Sequence, residues 1–87
     1  PLQQNKVAKV VGQGVYLIQS VHSLAIAHKI HQVAKARSSR QPVLLPVNLA
    51  EEPQKFGFLK TQLETNFSGL LQLDGIEIKG LMMIAPH

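Results

Sequence analysis

Three apolar runs of strand length alternate along the chain with stretches of helical periodicity. The runs cover residues 15–18, 42–49 and 76–85. Three sets of apolar residues recur instead at spacings of three and four: Val7, Val10 and Val11; Ile26, Ile30 and Val33; Leu59, Leu63 and Phe67. Helices and strands that alternate in this way predict an α/β fold with parallel strands and crossover helices, either a doubly wound sheet or a barrel.

The expected ends of these elements carry residues that stop or cap helices. The first helix should stop at the Gly-Gln-Gly of residues 12–14, and the third at the Asp-Gly of residues 74–75. Ser20 and Ser23 are candidate caps for the second helix. Pro46 supplies no backbone donor, so we expect the second strand to be bulged there or to end early.

The number of strands limits what the chain can form. A closed barrel of parallel strands takes eight strands and roughly 250 residues, whereas three strands leave two open edges that invite aggregation. We therefore interpret residues 1–87 as an internal fragment, about three βα units and a third of a larger domain.

Composition narrows the class of protein. The chain is 45% hydrophobic and 16% charged, and its apolar runs are too short to span a bilayer, so it reads as soluble and globular. It has no cysteine, which removes disulfides and thiolate chemistry and fits a cytoplasmic location. The net charge of +4 is spread over separate segments, a pattern that does not favour nucleic acid. The chain opens without a charged and then apolar leader, so no targeting signal is predicted.

The spacing of histidines, lysines and acidic residues along the chain does not by itself define a metal site or a catalytic site. The second helix should turn His28, His31 and Lys35 towards solvent. The two histidines lie one turn apart but have no third ligand nearby in sequence, which argues against zinc. The only aspartate, Asp74, precedes a strand, and no Gly-x-Ser-x-Gly elbow is present, so acyl transfer has no support.

Two lysines allow further alternatives. Lys55 lies in the loop after the second strand, where it would meet an anion if that loop bordered a barrel mouth, or would simply be a solvated surface lysine. Lys79 is the one lysine within a predicted strand, and desolvation there would suit a Schiff base. Its position in the middle of the strand, several residues before the carboxyl end, argues against that role.

Four segments of the chain resemble one family. Residues 2–6 are similar to the Leu-Gln-x-Asn-Lys signature of the YggS/PROSC family of pyridoxal 5'-phosphate (PLP)-binding proteins, and residues 19–24 to its His-Ser-Val-Asp-Ser-Leu, with His22 in place of the acidic residue. Asn48, Glu52, Lys55 and Gly57 follow its Asn-x-x-x-Glu-x-x-Lys-x-Gly pattern. Residues 80–86 resemble its Gly-Leu-Met-x-Ile-x-Pro strand.

The resemblance implies part of a TIM-type (β/α)8 barrel, similar to the N-terminal domain of alanine racemase. It also implies a non-catalytic protein of PLP (vitamin B6) homeostasis, with PLP-dependent enzymes as transient partners; a PLP-dependent racemase-type enzyme is the alternative. The family's Schiff-base lysine and phosphate-binding groups belong to strands outside this sequence. Within it, Asn48 and Met82 lie at or near carboxyl ends of strands and are the expected cofactor-binding residues, with a purely structural role as the alternative for each. No catalytic or metal-binding residue is expected.

Overall fold

The computed structural model describes residues 2–11, 16–50, 52 and 56–84. A 3-10 turn at Gln4–Lys6 leads into the helix α1, Val7–Val10, and a longer helix, α2, covers Leu24–Ala36. The strand β1 is Gln41–Asn48, the short strand β2 is Phe58–Leu59, the helix α3 is Lys60–Leu71, and the strand β3 is Ile76–Ile84. The predicted α/β class is confirmed. No helix in the described ranges is long and apolar enough to cross a membrane.

The strands form one parallel sheet in the order β2-β1-β3. Ile18 adds a single parallel bridge to Val43, and Ile18 N–H donates to the carbonyl of Pro42 at 3.0 Å. Of the predicted strand at 15–18, residue 15 lies outside the described residues, and within them Ile18 alone pairs with the sheet. The prediction of parallel strands with helical crossovers is therefore confirmed, with β1 at the centre.

The helices cover one face of the sheet. Val43, Leu45 and Val47 of β1 join Ile30 of α2 and Leu70 of α3 in the buried core. Because side chains alternate along a strand, the residues between them point to the opposite face. We call that opposite face the inner face; on β1 it carries Leu44, Pro46 and Asn48.

Pro46 neither bulges β1 nor ends it, so the expectation for this residue was wrong. The strand continues to Asn48 with Pro46 buried and paired with Met82 of β3. The peptide nitrogens of Gln41 and Leu49 donate towards β3, whereas that of Leu44 donates to Ile18 on the other edge. By this alternation the Pro46 nitrogen also faces away from β3, so the missing donor removes nothing from the main ladder.

The irregularity lies in β3. Val43 pairs with Ile78 but Leu44 pairs with Gly80, so Lys79 is an extra residue and forms a β-bulge. Before the bulge, Ile76 and Ile78 share the face of the helix-covered residues of β1. After it, the residues on the inner face are Gly80, Met82 and Ile84, because they pair with Leu44, Pro46 and Asn48.

Residues 58–59 form the strand β2. The spacing of apolar residues from Leu59 onwards had instead predicted the start of the third helix there. Val47 pairs with Phe58, and the preceding Gly57 has a φ of 108°, a backbone region that favours glycine. A Cβ at Gly57 would lie 3.0 Å from the carbonyl oxygen of Pro46. The chain thus enters β2 in close contact with β1, and α3 begins at Lys60 instead of Leu59.

The second helix agrees with its predicted start but not with its predicted polar face. Ser23, and not Ser20, caps α2: its hydroxyl accepts the Ile26 N–H at 3.2 Å. His28 is exposed as expected, whereas His31 is partly buried and its Nδ1 accepts the Gly75 N–H at 2.9 Å. The expectation that His31 faces solvent was therefore wrong, because the turn before β3 packs against it.

Candidate functional site

The carboxyl ends of the parallel strands meet at one edge of the sheet. Asn48 ends β1, Leu59 ends β2, and Ile84 ends β3. In parallel α/β sheets ligands bind at this edge, where successive strands supply groups from their last residues and loops. The predicted site residues Asn48 and Met82 both belong to this region.

Asn48 is almost completely buried, with 1% of its surface exposed. Its Nδ2 donates to the backbone carbonyl of Glu52 at 2.7 Å, which ties the start of the following loop to the end of β1. A buried amide needs such a partner because leaving it unpaired costs about 1–3 kcal/mol. Asn48 therefore shapes the carboxyl end of β1 by holding the backbone at Glu52.

The structure brings Met82 to the same face as Asn48. Met82 pairs with Pro46 and Ile84 pairs with Asn48, so Met82 is the diagonal neighbour of Asn48 across β1 and β3. Met82 is partly buried, whereas 42% of Leu81 and 56% of Met83 are exposed on the other face. The inner face near its carboxyl edge thus combines one buried amide with the apolar surfaces of Pro46 and Met82.

Lys79 lies apart from this edge. Its Nζ is 3.8 Å from Glu77 Oε1, and half of its side chain is exposed. Ile84, the end of β3, lies five positions further along the chain, roughly 16 Å away in an extended strand. Lys79 is therefore distant from the carboxyl edge of the sheet, and its exclusion as a Schiff-base lysine stays a prediction. Lys55, the other lysine considered from the sequence, lies outside the described residues.

A cleft that sequence reasoning missed opens beside the N-terminus of α2. It measures about 170 Å³ and is lined by His22, Ser23 and Leu24 from one side and Phe58, Gln62 and Asn66 from the other. The His22 Nδ1 lies 3.0 Å from the carbonyl oxygen of Ser20, which requires a proton on Nδ1. The ring centroids of His22 and Phe56 are 5.3 Å apart. The aromatic contact accommodates a histidine where the family pattern has an acid.

Lys35 and His31 of α2 contact the turn before β3, at the opposite, amino edge of the sheet. Lys35 Nζ donates to Asp74 Oδ2 at 3.1 Å, and this hydrogen bond, together with the positive charge of Lys35, lowers the pKa of the Asp74 carboxyl. No cluster of three or more metal-binding side chains occurs among residues 2–11, 16–50, 52 and 56–84. Asp74 and His31 therefore hold the turn before β3 and form part of no described metal site.

Two known proteins match this chain over nearly its whole length. A pyridoxal phosphate homeostasis protein of Synechocystis sp. is 36% identical over 85 residues, which are 98% of this chain and 38% of that protein. The structure of PipY from Synechococcus elongatus PCC7942 with PLP bound matches with a TM-score of 0.85 and 34% identity, over 99% of this chain and 39% of PipY. No family model matches the chain.

Two further structures support the fold. A protein of unknown function from Bifidobacterium adolescentis matches with a TM-score of 0.89 and 40% identity, over all of this chain and 34% of that one. Alanine racemase of Clostridium difficile 630 matches with a TM-score of 0.78 at 18% identity, a likeness that shows the fold alone.

The fold is thus a segment of the alanine racemase-like (β/α)8 barrel, with three parallel strands and the helices that cover them. Over nearly all of its length the chain is similar to a pyridoxal phosphate homeostasis protein, in agreement with its resemblance to the YggS/PROSC family, and it spans about two fifths of the length of that curated relative.

Proposed function

We propose that the protein containing this chain binds PLP and takes part in PLP homeostasis in the cytoplasm without catalysing a reaction of its own. The observation that carries the proposal is the match to PipY, whose structure with PLP bound aligns with 99% of this chain. The racemase alternative rests on a likeness of 18% identity and gains no support from it.

The residues at the carboxyl edge fit one wall of a cofactor pocket. Asn48 offers an amide already oriented by its bond to the Glu52 carbonyl, and Met82 offers a polarizable apolar surface that suits contact with an aromatic ring. We propose these two residues as cofactor-binding. Bound PLP would supply an aldehyde for imine formation and a phosphate for anchoring, and the groups that meet them belong, in the family, to other strands.

A role as a PLP carrier implies partner proteins that receive the PLP. A protein that holds PLP without using it must release it, and the acceptors of that chemistry are enzymes that require PLP. We propose transient contact with such enzymes. The corresponding measurement is reactivation of an apo PLP-dependent enzyme by the loaded protein at a faster rate than by the same concentration of free PLP.

The cofactor assignment is tested on the product of the complete reading frame. Added PLP should produce an imine absorbance band, and borohydride reduction followed by peptide mass spectrometry should locate one modified lysine. Asn48→Ala should weaken PLP binding, and Gln32→Ala, which removes an exposed amide from α2, is its control. Absence of the band in the unaltered protein would refute PLP binding.

The non-catalytic assignment needs a separate test. The PLP-loaded protein is incubated with L-alanine, and the enantiomers are separated by chiral chromatography. No D-alanine should accumulate above the rate given by free PLP. Sustained enzyme-dependent racemisation would contradict the proposal while leaving PLP binding intact.

A further inference from the structure

His31 joins the helix α2 to the turn before β3 through one ring nitrogen. Its Nδ1 accepts the Gly75 N–H at 2.9 Å. The carbonyl of Gly75 accepts the Gln41 N–H, also at 2.9 Å, where the pairing of β1 with β3 begins. Gly75 therefore connects α2 with the amino end of the central strand.

Only one protonation state of the His31 ring permits this contact. A neutral imidazole accepts a hydrogen bond through the nitrogen that carries no proton, so Nδ1 must be bare and Nε2 must carry the proton. A second proton can bind only at Nδ1, where it occupies the lone pair that the Gly75 N–H uses. Protonation of His31 and acceptance of the Gly75 N–H therefore exclude each other.

The charged groups around the ring offer the protonated form another partner. Asp74 Oδ1 lies 3.7 Å from His31 Nδ1, while Asp74 Oδ2 accepts from Lys35 Nζ at 3.1 Å. The bond from Lys35 lowers the pKa of the Asp74 carboxyl, so Asp74 remains a carboxylate when His31 gains a proton. The charged groups just before β1 and within β3, Arg40 and Glu77, lie 3.8 Å apart and form an ion pair of their own.

We infer that His31 is a pH-sensitive switch between α2 and the turn before β3: the neutral ring holds the Gly75 N–H, and the protonated ring releases it and turns to Asp74. Protons from solvent can reach the ring, because 24% of the His31 side chain is exposed, and histidine is the side chain whose ordinary pKa lies nearest to neutral pH. The switch lies at the amino edge of the sheet and involves neither Asn48 nor Met82. Mild acidification therefore loosens the start of the β1–β3 pairing and leaves its carboxyl end in place.

Hydrogen exchange of single amides, followed by NMR as a function of pH, tests the switch in the product of the complete reading frame. Protection factors are compared, because they remove the intrinsic pH dependence of exchange. The Gly75 amide should lose protection by roughly twofold to tenfold on acidification, the factor that corresponds to one neutral hydrogen bond. The midpoint of this loss should equal that of the His31 ring resonances, and the Gln41 amide should change in the same direction. The Leu49 amide, which donates to the Ile84 carbonyl at 3.1 Å at the other end of the same strand pair, should keep its protection.

Substitutions of two histidines on α2 separate the ring from the helix. His31→Asn supplies an amide oxygen in place of Nδ1 and takes up no proton in this pH range, so the Gly75 amide should stay protected throughout. His31→Leu removes the acceptor, so protection should be low at every pH. His28→Asn makes the same change at an exposed position of the same helix and should leave the pH response intact.

Three results would overturn the switch. They are constant protection of the Gly75 amide while His31 titrates, an undiminished pH response in His31→Asn, and a loss of protection at Leu49 equal to that at Gly75, which would indicate acid unfolding of the whole protein. If a substituted protein does not fold, the comparison of the Gly75 and Leu49 amides in the unaltered protein still decides the matter.

Discussion

Replacing Gly75 with alanine should force α2 away from the start of β3. Gly75 lies in the turn before β3, directly against the third turn of α2. A Cβ at Gly75 would lie 2.5 Å from the carbonyl oxygen of His31 and 2.9 Å from its Cα. Both atoms are backbone, so no side-chain rotation can make room, and the helix and the turn must separate.

The cost of this separation follows from two contacts. An ordinary contact needs about 3.4 Å, so the backbones must move apart by close to 1 Å, an overpacking of the kind that costs about 1–3 kcal/mol. The hydrogen bond of 2.9 Å from the Gly75 N–H to His31 Nδ1 would stretch by a similar amount, and its loss adds about 0.5–1.5 kcal/mol. Alanine restricts the unfolded chain and returns up to about 1 kcal/mol. We expect a net destabilisation of about 2–3 kcal/mol, dominated by the overpacking.

The assay is urea unfolding of the complete reading frame product, followed by circular dichroism. Gly69→Ala is the control, because a Cβ at Gly69 meets no atom within 4 Å and the residue lies inside α3. That variant should gain roughly 0.5–1 kcal/mol from the better helix propensity of alanine. A midpoint for Gly75→Ala equal to that of the unaltered protein, or a loss in Gly69→Ala of the same size, would refute the reasoning.

Three further predictions concern the cap, the ion pair and the tight entry into β2. Ser23→Ala should lower the free energy of unfolding by about 0.5–2 kcal/mol, since its hydroxyl caps α2, whereas Ser20→Ala should have no comparable effect in the same urea titration. Lys35→Met should raise the pKa of Asp74, because the Lys35 hydrogen bond holds it below the ordinary value; carboxyl NMR titration measures this. A lowered carboxyl pKa stabilises the fold above the unfolded-state value and loses that contribution as the pH falls through the folded-state value, so unaltered protein and variant should converge in stability at acidic pH. Gly57→Ala should cost about 1–3 kcal/mol, because its φ of 108° is strained for a side chain, and thermal unfolding that matches the unaltered protein would contradict this.

Much of the fold could be predicted from the sequence. Burying one face of a helix or strand fixes the spacing of its apolar residues and the length of the apolar run. The central strand was expected at residues 42–49 and lies at Gln41–Asn48, and the last was expected at 76–85 and lies at Ile76–Ile84, with residue 85 outside the described part. The apolar stripe of α2 and its serine cap were likewise foreseen. The glycine stop at 12–14 lies outside the described residues.

The candidate site was less accessible, because its geometry depends on pairing between distant segments. The sequence pointed to Asn48 and Met82 through their expected positions near strand ends, but periodicity gave no sign that Lys79 is an extra residue. Nor did it show that Asn48 binds the carbonyl of Glu52, since one amide among many polar residues has no pattern of its own. The contact of His22 with Phe56 joins segments more than thirty residues apart and was missed for the same reason.

The sequence by itself determined which segments are apolar, which of them form helices and which form strands of the main sheet, and that the strands run parallel, since each follows from local periodicity and from the crossover length between strands. Tertiary structure decided which face each residue of β3 presents, how Pro46 fits inside a continuous strand, and why His31 is partly buried. The physical reason is that these features depend on hydrogen bonds and contacts with a neighbouring strand or turn, whose register no local pattern encodes.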